Sequence, residues 1–312
     1  MSDILNRVLP ILILLGAGFW MRRTRFISDS TIDDLRKVVV NFALPAVLFT
    51  SFLEVELQSS DVIIVVATFV ISVALFGVGR TLQRRFSAGH EYFPLLMTGF
   101  EAGMLGISLF GSGYGLGKIG FFAVVDLGHE LFIWFVFLAL LLAKRDGTQE
   151  PMQLVRSFLL SPVIIGLLAG IAANLADIGE SLHEWPLTGG VMNTLSFLAA
   201  LTVPLILLIV GYGIHISRPG IKEALGPVAV RFAITLPLAL VLPPLLVGNL
   251  LNGNEYSQAA LFTLLILPPP FIIPLYMRQG IDDERRYVNN VLSLATLVSI
   301  VVFIVYLTVN PL

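Results

Sequence analysis

The chain has 312 residues, a formal net charge of −2 and no cysteine, with 56% hydrophobic and only 13% charged residues and a mean hydropathy of +0.90. This composition lies outside the range of water-soluble globular domains and inside that of integral membrane proteins. The missing cysteines exclude disulfides, thiolate nucleophiles and cysteine metal sites, and the near-neutral charge gives no reason to expect a nucleic-acid partner.

Crossing about 30 Å of hydrocarbon takes about 20 apolar residues in a helix, and ten such stretches follow one another along the chain. They run Ile4 to Met21, Ile32 to Leu53, Val62 to Leu82, Tyr92 to Phe110, Ile119 to Ala143, Phe158 to Ala176, Leu187 to Ile216, Ala224 to Leu251, Tyr256 to Met277 and Arg286 to Val309. The connections are too short to hold a soluble catalytic or nucleotide-binding domain. In the first stretch the cluster Arg22, Arg23, Arg25 follows the apolar run instead of preceding it, so it reads as a mature helix and not as a signal peptide.

Short cytoplasmic loops retain Lys and Arg. Of the 19 cationic residues, 16 fall between spans one and two (Arg22, Arg23, Arg25, Arg36, Lys37), three and four (Arg80, Arg84, Arg85), five and six (Lys144, Arg145, Arg156), seven and eight (Arg218, Lys222) and nine and ten (Arg278, Arg285, Arg286). The alternate loops read "EVELQSSD", "DIGESLHE" and "GNE", acidic or neutral. The expectation is a multi-pass protein of the cell membrane with both termini outside.

Pro45 in "NFALPAVLFTSF" and Pro204 in "AALTVPLILLIV" are 159 residues apart, and the same offset carries Gly111 to Pro270. Spans two and seven should each be interrupted by a proline. Spans four and nine should break at corresponding positions, span four within its run of eight glycines between Gly99 and Gly120, span nine at Pro268, Pro269 and Pro270. A five-span unit is odd, so its second copy enters the membrane upside down. That is the inverted-repeat plan of secondary transporters, whose discontinuous helices meet near the bilayer midplane. Broken backbone in lipid leaves costly unpaired groups unless it lines a cavity, and free helix N-termini there attract anions.

The stretches "RVLPILILLGAGFWMRRTRFISDSTIDDLRKVVVNFALPAVLFTSF", "GFEAGMLGISLFG" and "LSLATLVSI" together resemble the auxin efflux carrier family, which includes plant PIN-type carriers and bacterial transporters. The resemblance implies an all-α fold of ten transmembrane helices in two inverted five-helix repeats, with the arrangement of bile acid sodium symporters. Residues 1–143 form the first repeat, 144–156 a short cytoplasmic linker and 157–312 the second repeat. Spans 1, 2, 6 and 7 make a scaffold, and spans 3–5 and 8–10 a crossover domain that moves against it. It also implies transport of small organic anions such as carboxylates, and a homodimer through the scaffold. Glu101 stands where the family usually has a substrate-holding asparagine, and Ser108 where it usually has proline. The long regulatory loop of plant members is missing between Lys144 and Arg156.

Ionisable side chains within spans are functional candidates because their insertion is costly. Glu101, Asp126, His129, Glu130 and Arg231 qualify. A protonated Glu101 could donate to a substrate carboxylate and couple transport to protons; an ionised one would favour a sodium ion or a cationic substrate; the bland alternative is an ion pair with Arg231. Asp126, His129 and Glu130 stand at i, i+3 and i+4 on one helix face, as a proton or ion relay or as a structural network. Substrate contacts are expected from Glu101, Gly103, Gly106, Ser108, Asn41, Pro45, Pro204, Pro268, Pro269 and Pro270. No metal site, enzyme activity or cofactor is expected beyond a coupling H+ or Na+. The two Gly-Tyr-Gly triplets at 113–115 and 211–213 lack the four converging loops of a potassium filter, and Gly106-Ile107-Ser108-Leu109 with His129 makes a poor serine protease. Alternatives that stay open are a membrane ligand sensor on a transporter fold and a sodium-coupled organic-anion symporter.

Overall fold

The computed structural model describes residues 2–55, 58–87, 89–146, 151–217, 220–278 and 280–312, with backbone alone for 2–4, 146, 151–154, 180 and 183. Arg218, and residues 56, 57 and 147–150 of the loops discussed above, lie outside the described residues. The described chain is all-helical, without strands. In chain order the helices are α1 (Ser2–Thr24), α2 (Asp29–Glu54), α3 (Asp61–Phe86), α4 (Phe93–Leu96), α5 (102–114), α6 (Leu116–Arg145), α7 (Pro151–Leu159), α8 (Pro162–Leu175), α9 (Gly179–Glu184), α10 (Pro186–Gly213), α11 (Ile221–Leu250), α12 (Glu255–Ile266) and α13 (Asp282–Val309).

Among the described residues, seven of these are long and apolar enough to cross a membrane: α1, α2, α3, α6, α10, α11 and α13. Three of the ten expected spans differ. Span six is the 14-residue helix α8, and spans four and nine are interrupted. The long helices expose apolar residues, as Val62, Val66, Val70 and Val73 on α3 and Leu187 and Phe197 on α10 show, which suits a lipid solvent.

Small residues set the tightest helix contacts, as expected where apolar burial alone gives no preference for protein over lipid. A Cβ on Gly18 of α1 would run into Leu208 O of α10, one on Gly211 of α10 into Leu15 O, and one on Gly128 of α6 into Val65 O of α3. Gly166 and Gly170 let α8 lie against Pro45 and Phe49 of α2. Helices α11, α12 and α13 pack on one another, and α12 also packs on α6.

The expected interruption of span two at Pro45 does not occur. α2 runs unbroken from Asp29 to Glu54 because the backbone widens into a π-stretch over Val39–Ala43 just before the proline, which removes the need for the missing N–H. At Pro204 the disturbance is one turn residue, Leu201, after which α10 continues. Other wide stretches are Ala102–Gly106 in α5, Ile133–Phe137 in α6 and Pro243–Leu250 in α11.

Span four breaks over 97–101, not across the glycine run, whose first part continues as helix α5. Gly99 has φ +66 and supplies the turn. Gly106 and Gly113 instead permit close packing: a Cβ on Gly106 would lie 2.5 Å from Phe122 and 2.7 Å from Leu267, and one on Gly113 2.9 Å from Phe303. Span nine stops at Ile266 and is followed by irregular chain with a single 3-10 turn at Ile273–Leu275. No second half-helix forms there, since Pro268, Pro269, Pro270 and Pro274 deny it donors and starting geometry. Met97 and Leu267 open the two breaks, and these positions are 170 apart, so the pairing of Gly111 with Pro270 is corrected.

Hydrogen bonds gather the basic loops at one end. Arg22 donates to Tyr212 O (3.1 Å) and Tyr212 to Asp29 (2.7 Å); Ser217 N–H donates to Asn290 (2.8 Å); Arg278 donates to Lys144 O (2.6 Å). At a separate place, Arg7 joins the chain's last residue, Leu312 O (3.0 Å), to Gly113 O (3.1 Å).

Candidate functional site: the crossing of two broken segments

Residues 97–101 and 267–272 lie directly against each other. Glu101 N–H donates to Pro268 O (2.9 Å), and Phe271 N–H donates to the Glu101 carboxylate (2.5 Å). A Cβ on Gly99 would meet the Pro270 ring at 2.8 Å. Each buried polar group of an opened helix needs a partner, and here side chains from other helices supply most of them.

Arg231 of α11 carries the largest share. Its guanidinium is 1% exposed and donates to Leu96 O (2.9 Å), Gly99 O (2.6 Å) and Leu267 O (3.0 Å). Leu96 ends α4 and Leu267 follows α12, so the cation sits at the negative ends of both half-helices. Its Cζ also lies 5.0 Å from the Phe100 ring centroid. Among the described residues Arg231 forms no ion pair, so the alternative of a Glu101–Arg231 pair does not occur. Ser299 of α13 donates to the last helical carbonyl of α12, Ile266 O (2.6 Å).

His129 of α6 holds the other side. Phe100 N–H donates to His129 Nε2 (2.9 Å), while His129 Nδ1 lies 2.8 Å from Asp126 Oδ1. An Nε2 that accepts is unprotonated, so the partners assign the proton to Nδ1, where it is donated to the carboxylate. The expected trio is therefore divided. Asp126 orients His129 and His129 fixes the backbone of the first break, whereas Glu130 accepts from Trp134 Nε1 (3.0 Å). One ligand atom from each of the three lies within 4.8 Å of the others, but both nitrogens of His129 are occupied by hydrogen bonds and neither offers a free lone pair.

A cavity of about 230 Å³ ends on Met104 and Phe271, residues flanking the two breaks. Its lining includes Arg22, Arg36, His215 and Ser293, and no carboxylate among the described lining residues. Arg22 and His215 belong to the basic-loop end, so the cavity joins that end to Met104 and to Phe271, the residue whose amide Glu101 caps; of its two arginines, Arg36 is paired with Asp33 (2.7 Å). A cavity of about 390 Å³ near Glu54, Asp61, Lys118 and Asn254 has no described lining residue from either break.

The remaining expected substrate contacts are distributed unevenly. Gly103 meets open space, since a Cβ there finds nothing within 4 Å. Ser108 is fully buried and its hydroxyl has no partner among the described residues. Asn41 is exposed and donates to Lys37 O four residues back (2.7 Å), and Pro45 faces α8 at Gly166. Neither Asn41 nor Pro45 lines the crossing. Sequence reading missed the Phe271 amide, the cavity that Phe271 lines and the anchoring of Phe100 by His129. Only the isolated Arg231 in an apolar span signalled that something must neutralise it.

No known family's sequence profile matches the chain. It is 27% identical over 302 residues to a protein of Methanothermobacter thermautotrophicus named "Uncharacterized transporter", covering 93% of this chain and 95% of that relative. The chain is thus a membrane-type helical protein, similar along nearly its whole length to a transporter.

Proposed function

We propose that the chain is a ten-span, inverted-repeat secondary transporter of small organic anions, related to the auxin efflux carriers, that couples transport to protons through Glu101. The observation that carries this reading is the cavity lined by Arg22, Arg36 and Phe271, the last of which has its amide held by an internal carboxylate. A carboxylate substrate entering past Arg22 and Arg36 meets a donor geometry suited to it and occupied by Glu101. Protonation of Glu101 weakens its acceptor, frees the Phe271 amide and supplies an O–H donor for the incoming carboxylate. Proton and anion then travel together, by motion of spans 3–5 and 8–10 against spans 1, 2, 6 and 7.

The packing supports the repeat. If spans one to five match six to ten, the contact of α1 with α10 corresponds to that of α8 with α2, the contact of α3 with α6 to that of α11 with α13, and the contact of α3 with α4 to that of α11 with α12. The same reading puts the basic loops in the cytoplasm of a cell-membrane protein, both termini outside, and a homodimer through the scaffold.

The test is uptake of candidate mono- and dicarboxylates into proteoliposomes under separately imposed proton and sodium gradients. Wild type should accumulate substrate with a proton gradient, and Glu101→Gln should lose that accumulation by at least about tenfold while still exchanging substrate. Unchanged proton-driven accumulation in Glu101→Gln removes the coupling role. Saturable binding without flux under any gradient removes the transporter reading in favour of a sensor.

A further inference from the structure

In transporters with discontinuous helices, half-helix C-termini and unwound carbonyls are the groups that coordinate a coupling metal cation. Here those groups are Leu96 O, Gly99 O and Leu267 O, contributed by both breaks, and all three converge on one guanidinium. We propose that Arg231 is a built-in cation that fills the place of a coupling metal ion, so that the crossing has no sodium site and the proton is its only exchangeable cation.

Three observations carry the inference. The guanidinium is at hydrogen-bond distance from every one of the three oxygens, from 2.6 to 3.0 Å, through its two terminal nitrogens. It is 1% exposed and has no carboxylate partner among the described residues, so its charge is answered by the backbone dipoles and the Phe100 ring. Arginine does not give up its proton in proteins and is tethered to α11, so this cation cannot leave during a cycle as a bound metal ion does. A planar fork also contacts oxygens on two segments at once, which a lysine ammonium does less well.

The consequence for coupling rests on the transporter reading; the occupancy of the three carbonyls does not. The purified full-length protein in detergent micelles is therefore tested by its melting midpoint, at constant ionic strength, in sodium, potassium and choline chloride. Wild type should melt within about 2 °C in all three salts. Arg231→Ala should melt lower, and added methylguanidinium should raise its midpoint saturably toward wild type. Arg231→Lys keeps a resident cation and should fold with a midpoint indifferent to sodium, which tests the idea even where the alanine variant does not fold. A saturable, sodium-specific stabilisation of wild type or of Arg231→Lys overturns the inference, as does an Arg231→Ala protein that folds and ignores methylguanidinium. Failure of the transporter reading shows instead as absent flux with these melting results unchanged.

Discussion

Pro45 and the run Pro268–Pro270 both remove backbone donors from an apolar span, with opposite results. At Pro45 the helix widens by a π-stretch and stays continuous, with Leu44 N–H donating back to Val39 O just before the proline. At Pro268–Pro270 the helix ends, the chain runs irregularly, and the side chains of Glu101, of Arg231 in α11 and of Ser299 in α13 take over the freed groups. A single proline asks for one local adjustment. Three in succession leave no helical solution, so the opened backbone persists only because distant parts of the chain complete it. A region completed from elsewhere can respond to what happens elsewhere; a self-contained helix cannot.

The contrast can be broken first at His129. Replacing it with alanine leaves Phe100 N–H without its acceptor and the buried Asp126 carboxylate without its donor, with an expected cost of about 2–4 kcal/mol. Chemical denaturation in micelles measures this, and an unchanged midpoint would mean that the break holds its own shape as α2 does. Pro45→Ala restores one donor to a helix already continuous, so stability should change by less than about 1 kcal/mol. A loss larger than about 2 kcal/mol in the same measurement would show that the π-stretch is required and not merely tolerated. The smallest effect is expected in the loop before the first break, where Lys144 Nζ lies 2.8 Å from Glu91 and holds its carboxyl below the usual range. A depressed carboxylate contributes stability above its unfolded pKa and loses it as pH falls through the folded value. With Glu91 largely exposed, Glu91→Gln should differ from wild type by less than about 0.5 kcal/mol at neutral pH, and the difference should vanish under acidic conditions. Paired melting curves across that range check it.

Much of the architecture is legible in the sequence, because long apolar runs and the alternation of basic loops are one-dimensional signals. The second break was legible too, since proline acts through its own backbone. The first was displaced by several residues, because glycine permits both an open turn and close packing. Gly99 serves the turn, whereas Gly106 admits Phe122 and Leu267. Only the three-dimensional neighbourhood separates the two uses. Of the candidate site, the intramembrane charges could be named but not connected. The contact of Glu101 with Phe271 spans 170 positions and that of Arg231 with Leu96 spans 135, and neither has a local pattern to announce it.

If the chain carries anions with a proton on Glu101, as proposed, one fixed guanidinium and one exchangeable carboxyl at the same crossing also set the electrical character of the cycle. With Glu101 ionised, its charge cancels that of Arg231. With Glu101 protonated and a monovalent carboxylate on the Phe271 amide, the substrate cancels it instead. Either way Arg231, Glu101 and substrate sum to zero, so a cycle with a monovalent substrate moves no net charge against a membrane potential that would otherwise exact about 2.3 kcal/mol per charge per 100 mV. The net cycle of such a carrier is electroneutral with a monovalent substrate, whereas a divalent substrate carries one charge across.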